Sequence, residues 1–231
     1  MREDLDDHLL EITRRTEALA GRSLESAISG DEISRLRISV PLVRRAVKQG
    51  YAFVSDSRSG NLVVWDYIWR HSACYEVMHQ ALYFYQLRQL NREETRTIRD
   101  WMDRCTGWEH CDDLSKIYAT VVEANPKWLM PTLKQWNRSD NAWKRRQSMV
   151  SLIEYASRRT RFLPFAELIA FVEPLLNDEE YYVQKGLGWT LREIGNAYPE
   201  EVAPFMDEYA SRLAPQAWTA ATKNLGKKEK S

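Results

Sequence analysis

The feature that most restricts what this chain can become is a helical hydrophobic period sustained nearly from end to end. Apolar residues recur at steps of three and four in Leu5-Leu9-Ile12, in Leu114-Ile117-Tyr118-Val121-Val122 and in Leu168-Phe171-Val172-Leu175. Because a helix turns once in about 3.6 residues, that spacing gathers them on one face. The 231 residues contain only 9 Gly and 8 Pro, too few for the many tight turns of an all-β fold. An all-α protein is predicted.

Helix boundaries carry matching signals. Asn91 precedes Arg92-Glu93-Glu94 and is predicted to cap a helix with an acidic first turn. Asn125-Pro126 and Tyr198-Pro199 end one helix and begin the next, since proline fits only the first turn. Ser139-Asp140-Asn141 and Asn177-Asp178 are read as two further caps, and Ser55 to Gly60 as a loop. In the second half an aromatic is followed three residues later by a base, in Trp143/Arg146 and again in Tyr182/Lys185, 39 residues on. That period lies in the range of HEAT and armadillo helix pairs, which stack into a superhelical solenoid with a concave face. Tyr75 to Leu82 reads as a diverged copy. No domain boundary stands out, so residues 1–226 are expected to form a single HEAT-like domain and 227–231 a flexible basic tail.

Composition narrows the function classes. Hydrophobic residues at 44% and charged residues at 29% describe a soluble globular chain. No apolar run is long enough to cross a membrane, and the acidic N-terminus lacks the basic-then-apolar order of a signal peptide, so a cytoplasmic monomer is expected. Cys74, Cys105 and Cys111 are odd in number and form no CxxC pair, which argues against disulfides and a structural zinc; no metal and no cofactor are expected. The net charge of +0 offers no global argument for nucleic acid. Basic residues nevertheless cluster at Arg35, Arg37, Arg44, Arg45 and Lys48, at Arg138 and Lys144 to Arg146, and at Arg158, Arg159 and Arg161.

Two tryptophans have charged neighbours about one turn away on the same helix face: Trp108 with Asp112, and Trp189 with Arg192. An indole beside a carboxylate attracts a cation through both the ring face and the charge. The plainer reading of a tryptophan at helical spacing is core. That reading is adopted for Trp65, Trp69, Trp101, Trp128, Trp136, Trp143 and Trp218. His110 is read as a helix-surface histidine, and Asp112 has a possible ion-pair partner in Lys116.

Three strings resemble the AlkD-type DNA alkylation repair glycosylases. They are Gly107-Trp108-Glu109-His110-Cys111-Asp112, Ser139 to Arg146 (SDNAWKRR), and Val183 to Glu193 (VQKGLGWTLRE). The resemblance is strong from about Trp101 to Tyr209 and weak around Tyr67 to Leu87. It implies excision of cationic N3- or N7-alkylated purines from duplex DNA, without rotating the base into a protein pocket as most glycosylases do. It places the family's tryptophan–carboxylate pair on Trp108 and Asp112, its arginine on Arg146 and its second tryptophan on Trp189. Departures occur at Ile33 to Pro41, which replaces an aromatic-rich segment, and at Glu109 and Cys111 between Trp108 and Asp112.

An alkylated purine is already a good leaving group, so the enzyme need only stabilise the sugar cation and place a water. Asp112 is the expected carboxylate, with the adjacent Asp113 as the alternative. Trp108 and Trp189 would flank the cationic nucleotide. Arg146, with Arg145, Lys144, Lys185, Arg35, Arg37 and Arg45, is expected to contact phosphate, and Arg192 to orient a carboxylate. Two rival functions are a non-catalytic HEAT-repeat protein that binds DNA of unusual shape and a HEAT-type protein-interaction scaffold.

Overall fold

The computed structural model describes residues 2–27, 33–153 and 163–223. The described residues form twelve α-helices, short 3-10 turns and one isolated β-bridge, as the helical period requires. None of these helices is long and apolar enough to cross a membrane. The basic cluster at 158–161 and the tail at 227–231 lie outside the described residues. The chain divides into two compact units, residues 1–104 and 105–231.

The first unit contains α1 (Arg2–Ala20), α2 (Val40–Gln49), α3 (Arg58–His71), α4 (Tyr75–Gln86) and α5 (Arg92–Arg99). Helix α4 is its centre: every residue from Tyr75 to Tyr85 is buried, with α1, α2 and α3 packed around it. The core is aromatic. The rings of Trp69 and Trp101 stack at 5.0 Å, and both indole N–H groups find acceptors, in the Trp101 carbonyl and Asp66. Asn91 forms a full capping box with Glu94. Helix α3 begins earlier than the sequence suggested, because the Ser57 hydroxyl accepts from the Gly60 N–H and caps it; Gly60 is helical.

The second unit contains α6 (Trp108–Ala124), α7 (Pro126–Trp136), α8 (Ala142–Val150), α9 (Phe165–Val172), α10 (Tyr181–Ala197), α11 (Pro199–Glu208) and α12 (Pro215–Thr222). Helices α6, α8, α10 and α12 pack side by side in that order; α7 lies on α6 and α8, and α9 on α8 and α10. Pro126 and Pro199 start α7 and α11 as expected, and Asn141 caps α8 by accepting from the N–H groups of Trp143 and Lys144. The cap of α10 is Glu180 rather than Asn177 or Asp178. Asp178 instead accepts from the Glu180 N–H and from Arg145, which draws its carboxylate away from a cap position.

The tightest packing joins α10 to α12. An added Cβ at Gly188 would lie 2.2 Å from the carbonyl oxygen of Ala217, so the two backbones approach as only a glycine permits.

Candidate functional site

Helices α6, α8 and α10 lie side by side, and this row brings residues distant in sequence to one cleft of about 1000 Å³. Trp108, 46% exposed, opens α6 directly after its N-cap Gly107. Asp112 stands one turn further along the same helix. Its carboxylate accepts from Arg146 Nη2 at 2.6 Å, and Arg146 Nη1 donates to the Tyr182 carbonyl at 2.7 Å. One buried guanidinium from α8 thus joins α6 to α10. Gly186 makes this possible: a Cβ there would sit 2.8 Å from Arg146 Nη1.

Burial pushes the Asp112 carboxyl above its ordinary range, and the Arg146 guanidinium opposes the rise without cancelling it. The neighbouring carboxylate is engaged elsewhere. Asp113 is buried and accepts from Lys116 Nζ at 2.6 Å. Lys116 thus forms a close pair with Asp113, three residues away, and its charge also acts on Asp112. Only Asp112 of the two lines the cleft.

Trp189 lines the cleft from α10, together with Lys185 and Arg192. Its indole Nε1 donates to Glu193 Oε1 at 3.1 Å, and Arg192 donates to the same oxygen from Nε at 3.3 Å and Nη2 at 3.2 Å. Arg192 thus does pair with a carboxylate, the adjacent one. Lys185 Nζ lies 5.5 Å above the Tyr181 ring. The far wall comes from α12 and its C-cap, through Gln216 and Thr219 among others and through Lys223.

Arg146 is only 4% exposed, and its guanidinium is bound inside the protein rather than extended toward solvent. Arg145, about a quarter-turn round the helix, faces away from the cleft. It grips Asp178 through Nε at 2.5 Å and Nη2 at 3.2 Å, and donates from Nη1 to the carbonyls of Ser139 and Asp140. Lys144 is half-buried and does not line the cleft.

Arg35, Arg37 and Arg45 belong to the first unit and are exposed. Arg35 and Arg37 ride on an extended segment whose Leu36 and Ile38 N–H groups donate to the buried Glu76 carboxylate at 2.9 and 3.3 Å. The Arg35 guanidinium lies 3.6 Å over the Tyr75 ring, and Arg37 adopts a left-handed φ of 54°.

Several local expectations are corrected. His110 is fully buried, because α6 turns it inward beside Cys111 and Leu114. Trp218 is 37% exposed, since α12 buries its small residues Ala217 and Ala221 against α10 instead. Trp128 and Trp143 are half-buried, while Trp65, Trp69, Trp101 and Trp136 are core. Burial pushes the Cys111 thiol up to about 12, and that of Cys105 up well beyond its ordinary value. Residues missed from the sequence are Tyr181, Tyr182, Glu193 and the α12 wall. Tyr182 carried a signal in the aromatic-then-base repeat; α12 carried none.

The profile of a family described as DNA alkylation repair enzyme matches residues 26–225. No curated protein sequence matches the chain. Among solved structures, AlkD2 from Streptococcus mutans superposes with a TM-score of 0.63 at 18% identity, covering 95% of this chain and 99% of that one. A predicted DNA alkylation repair enzyme from Enterococcus faecalis superposes with a TM-score of 0.66 at 18% identity, over 94% and 96% of the two chains. At such identity the likeness concerns the fold.

Proposed function

Since this chain belongs to the DNA alkylation repair enzyme family, we propose that its cleft hydrolyses the N-glycosidic bond of cationic N3- or N7-alkylated purines in duplex DNA. The observation that carries this reading is the Asp112 carboxylate, held at 2.6 Å by a buried arginine in a cleft that Trp108 and Trp189 also line. A carboxylate so placed stabilises positive charge developing at C1′ of the sugar. The C1′–N bond breaks with its electron pair passing to the alkylated ring, which leaves neutral. Water adds to C1′, and its proton passes to Asp112 or solvent.

Trp108 and Trp189 favour a cationic nucleobase over a neutral one by cation–π attraction, about 0.5–2 kcal/mol each. Arg146 serves as a positioning residue: it fixes one Asp112 oxygen and opposes the rise in pKa that burial imposes on the carboxyl. Lys185 and Lys223 supply positive charge along the cleft for phosphate. The exposed Trp108 wall suits a lesion handled without insertion into a closed pocket. In the first unit, Arg35, Arg37 and Arg45 are further candidates for phosphate.

The test is release of 7-methylguanine or 3-methyladenine from methylated duplex DNA, followed by mass spectrometry. Wild type should release base, and Asp112→Asn should lose about a hundredfold or more, as expected when a transition-state electrostatic partner is removed. No release by wild type, or equal release by the variant, refutes the proposal.

A further inference from the structure

Glu193 has no part in the chemistry above, yet it is the acceptor that holds the Trp189 indole N–H. The two residues are four apart on α10, so they share a face. Glu193 Oε1 takes three donor atoms, Trp189 Nε1 and two from Arg192, while Oε2 accepts from Asn196 Nδ2 at 3.2 Å. Both oxygens are engaged, and Glu193 does not itself line the cleft. It is therefore a poor general base and a good anchor.

We infer that Glu193 is a positioning residue that sets the ring plane of Trp189, and through it the cleft's preference for a cationic nucleotide. The inference rests on the glycosylase reading. An indole has one hydrogen-bond donor, and its χ2 torsion is otherwise broad. Fixing that donor selects one ring orientation, and a cation–π contact requires the face rather than the edge. The alternative is that the Glu193 charge enriches the ring electrostatically. Arg192 sits on the same carboxylate oxygen and cancels most of that field, so orientation is the dominant effect.

Two measurements test the inference. The first follows solvent exchange of the Trp189 indole proton by NMR, assigned through its disappearance in Trp189→Phe. Glu193→Ala should speed exchange about tenfold, while Glu193→Gln, which keeps an acceptor, should stay near wild type. The second is a double-mutant cycle on release of 7-methylguanine from methylated duplex DNA. Glu193→Ala should slow release about tenfold, the effect of losing one hydrogen bond to a charged group, and Glu193→Gln should restore most of it. In a Trp189→Ala background, Glu193→Ala should cost nothing further.

Equal losses in both backgrounds would mean that Glu193 merely supports the helix, and would overturn the inference. Unchanged indole exchange would overturn it as well. If wild type releases no base, the glycosylase reading falls, and the exchange measurement alone decides whether Glu193 holds the ring.

Discussion

Two glycines on α10 should respond to alanine with opposite signs. In a helix, replacing glycine by alanine gains about 0.5–1 kcal/mol by lowering the entropy of the unfolded chain. At Gly195 the new Cβ would meet Val202 Cγ1 at 3.6 Å, an ordinary contact, so the gain should appear in full. At Gly188 it would lie 2.2 Å from the Ala217 carbonyl oxygen. Reaching an ordinary 3.4 Å separation requires the two helices to part by about 1.2 Å, and the obstacle is backbone that no rotamer change can move. Overpacking of this kind costs about 1–3 kcal/mol, taken toward the upper end here. The net loss for Gly188→Ala is then about 1–2 kcal/mol. Thermal unfolding should show Tm about 2–8 °C below wild type for Gly188→Ala and about 1–4 °C above it for Gly195→Ala. Because α12 supplies one wall of the cleft, Gly188→Ala should also slow base release about tenfold or more, as misplacement near 1 Å does. If Gly188→Ala raised Tm as Gly195→Ala does, the close approach of the helices would be refuted.

Arg146→Met should move the acid limb of the pH–rate profile for base release to higher pH, with Arg146→Lys in between. The Asp112 pKa is raised by burial and restrained by Arg146, so removing the cation lets it rise further and delays ionisation. Between the ordinary carboxyl value and the raised one, the folded state binds more protons than the unfolded. Asp112 therefore weakens folding as pH climbs through that window, which denaturant titrations at several pH values should detect. Asp113→Asn, which breaks the Lys116 pair, should lower stability by about 1–3 kcal/mol and leave release within about twofold of wild type. Lys185→Ala should flatten the salt dependence of duplex binding by about one unit of slope, whereas Arg145→Met should destabilise the chain and leave the slope unchanged.

Most of the secondary structure was legible in the sequence, because its determinants are local. Asn91, Asn125-Pro126, Asn141 and Tyr198-Pro199 mark helix ends through their own backbone chemistry. The exception at Asp178 is instructive. A good capping residue was diverted by a long-range partner, Arg145, which no local window contains. The division into two units had no compositional sign either, since it depends on which helices contact each other.

The cleft divides in the same way. The motif strings located Trp108, Asp112, Arg146 and Trp189, in the first or second turn of α6 and α8 and in the third turn of α10. What each residue touches was set by the tertiary structure. Asp112 and Asp113 are adjacent and chemically identical, and the packing of α6 against α8 gives Asp112 the Arg146 partner, while Asp113 pairs with Lys116 on its own helix. Arg146, expected to meet phosphate, is folded inward because Gly186 leaves a corridor for it. The α12 wall could be recognised only once α10 and α12 were packed together. Residue type and period determined that this chain is helical and which helices carry reactive groups. The partners that join the helices, Arg146 with Asp112 and with the Tyr182 carbonyl, were decided by contacts between helices far apart in sequence, which no short-range pattern encodes.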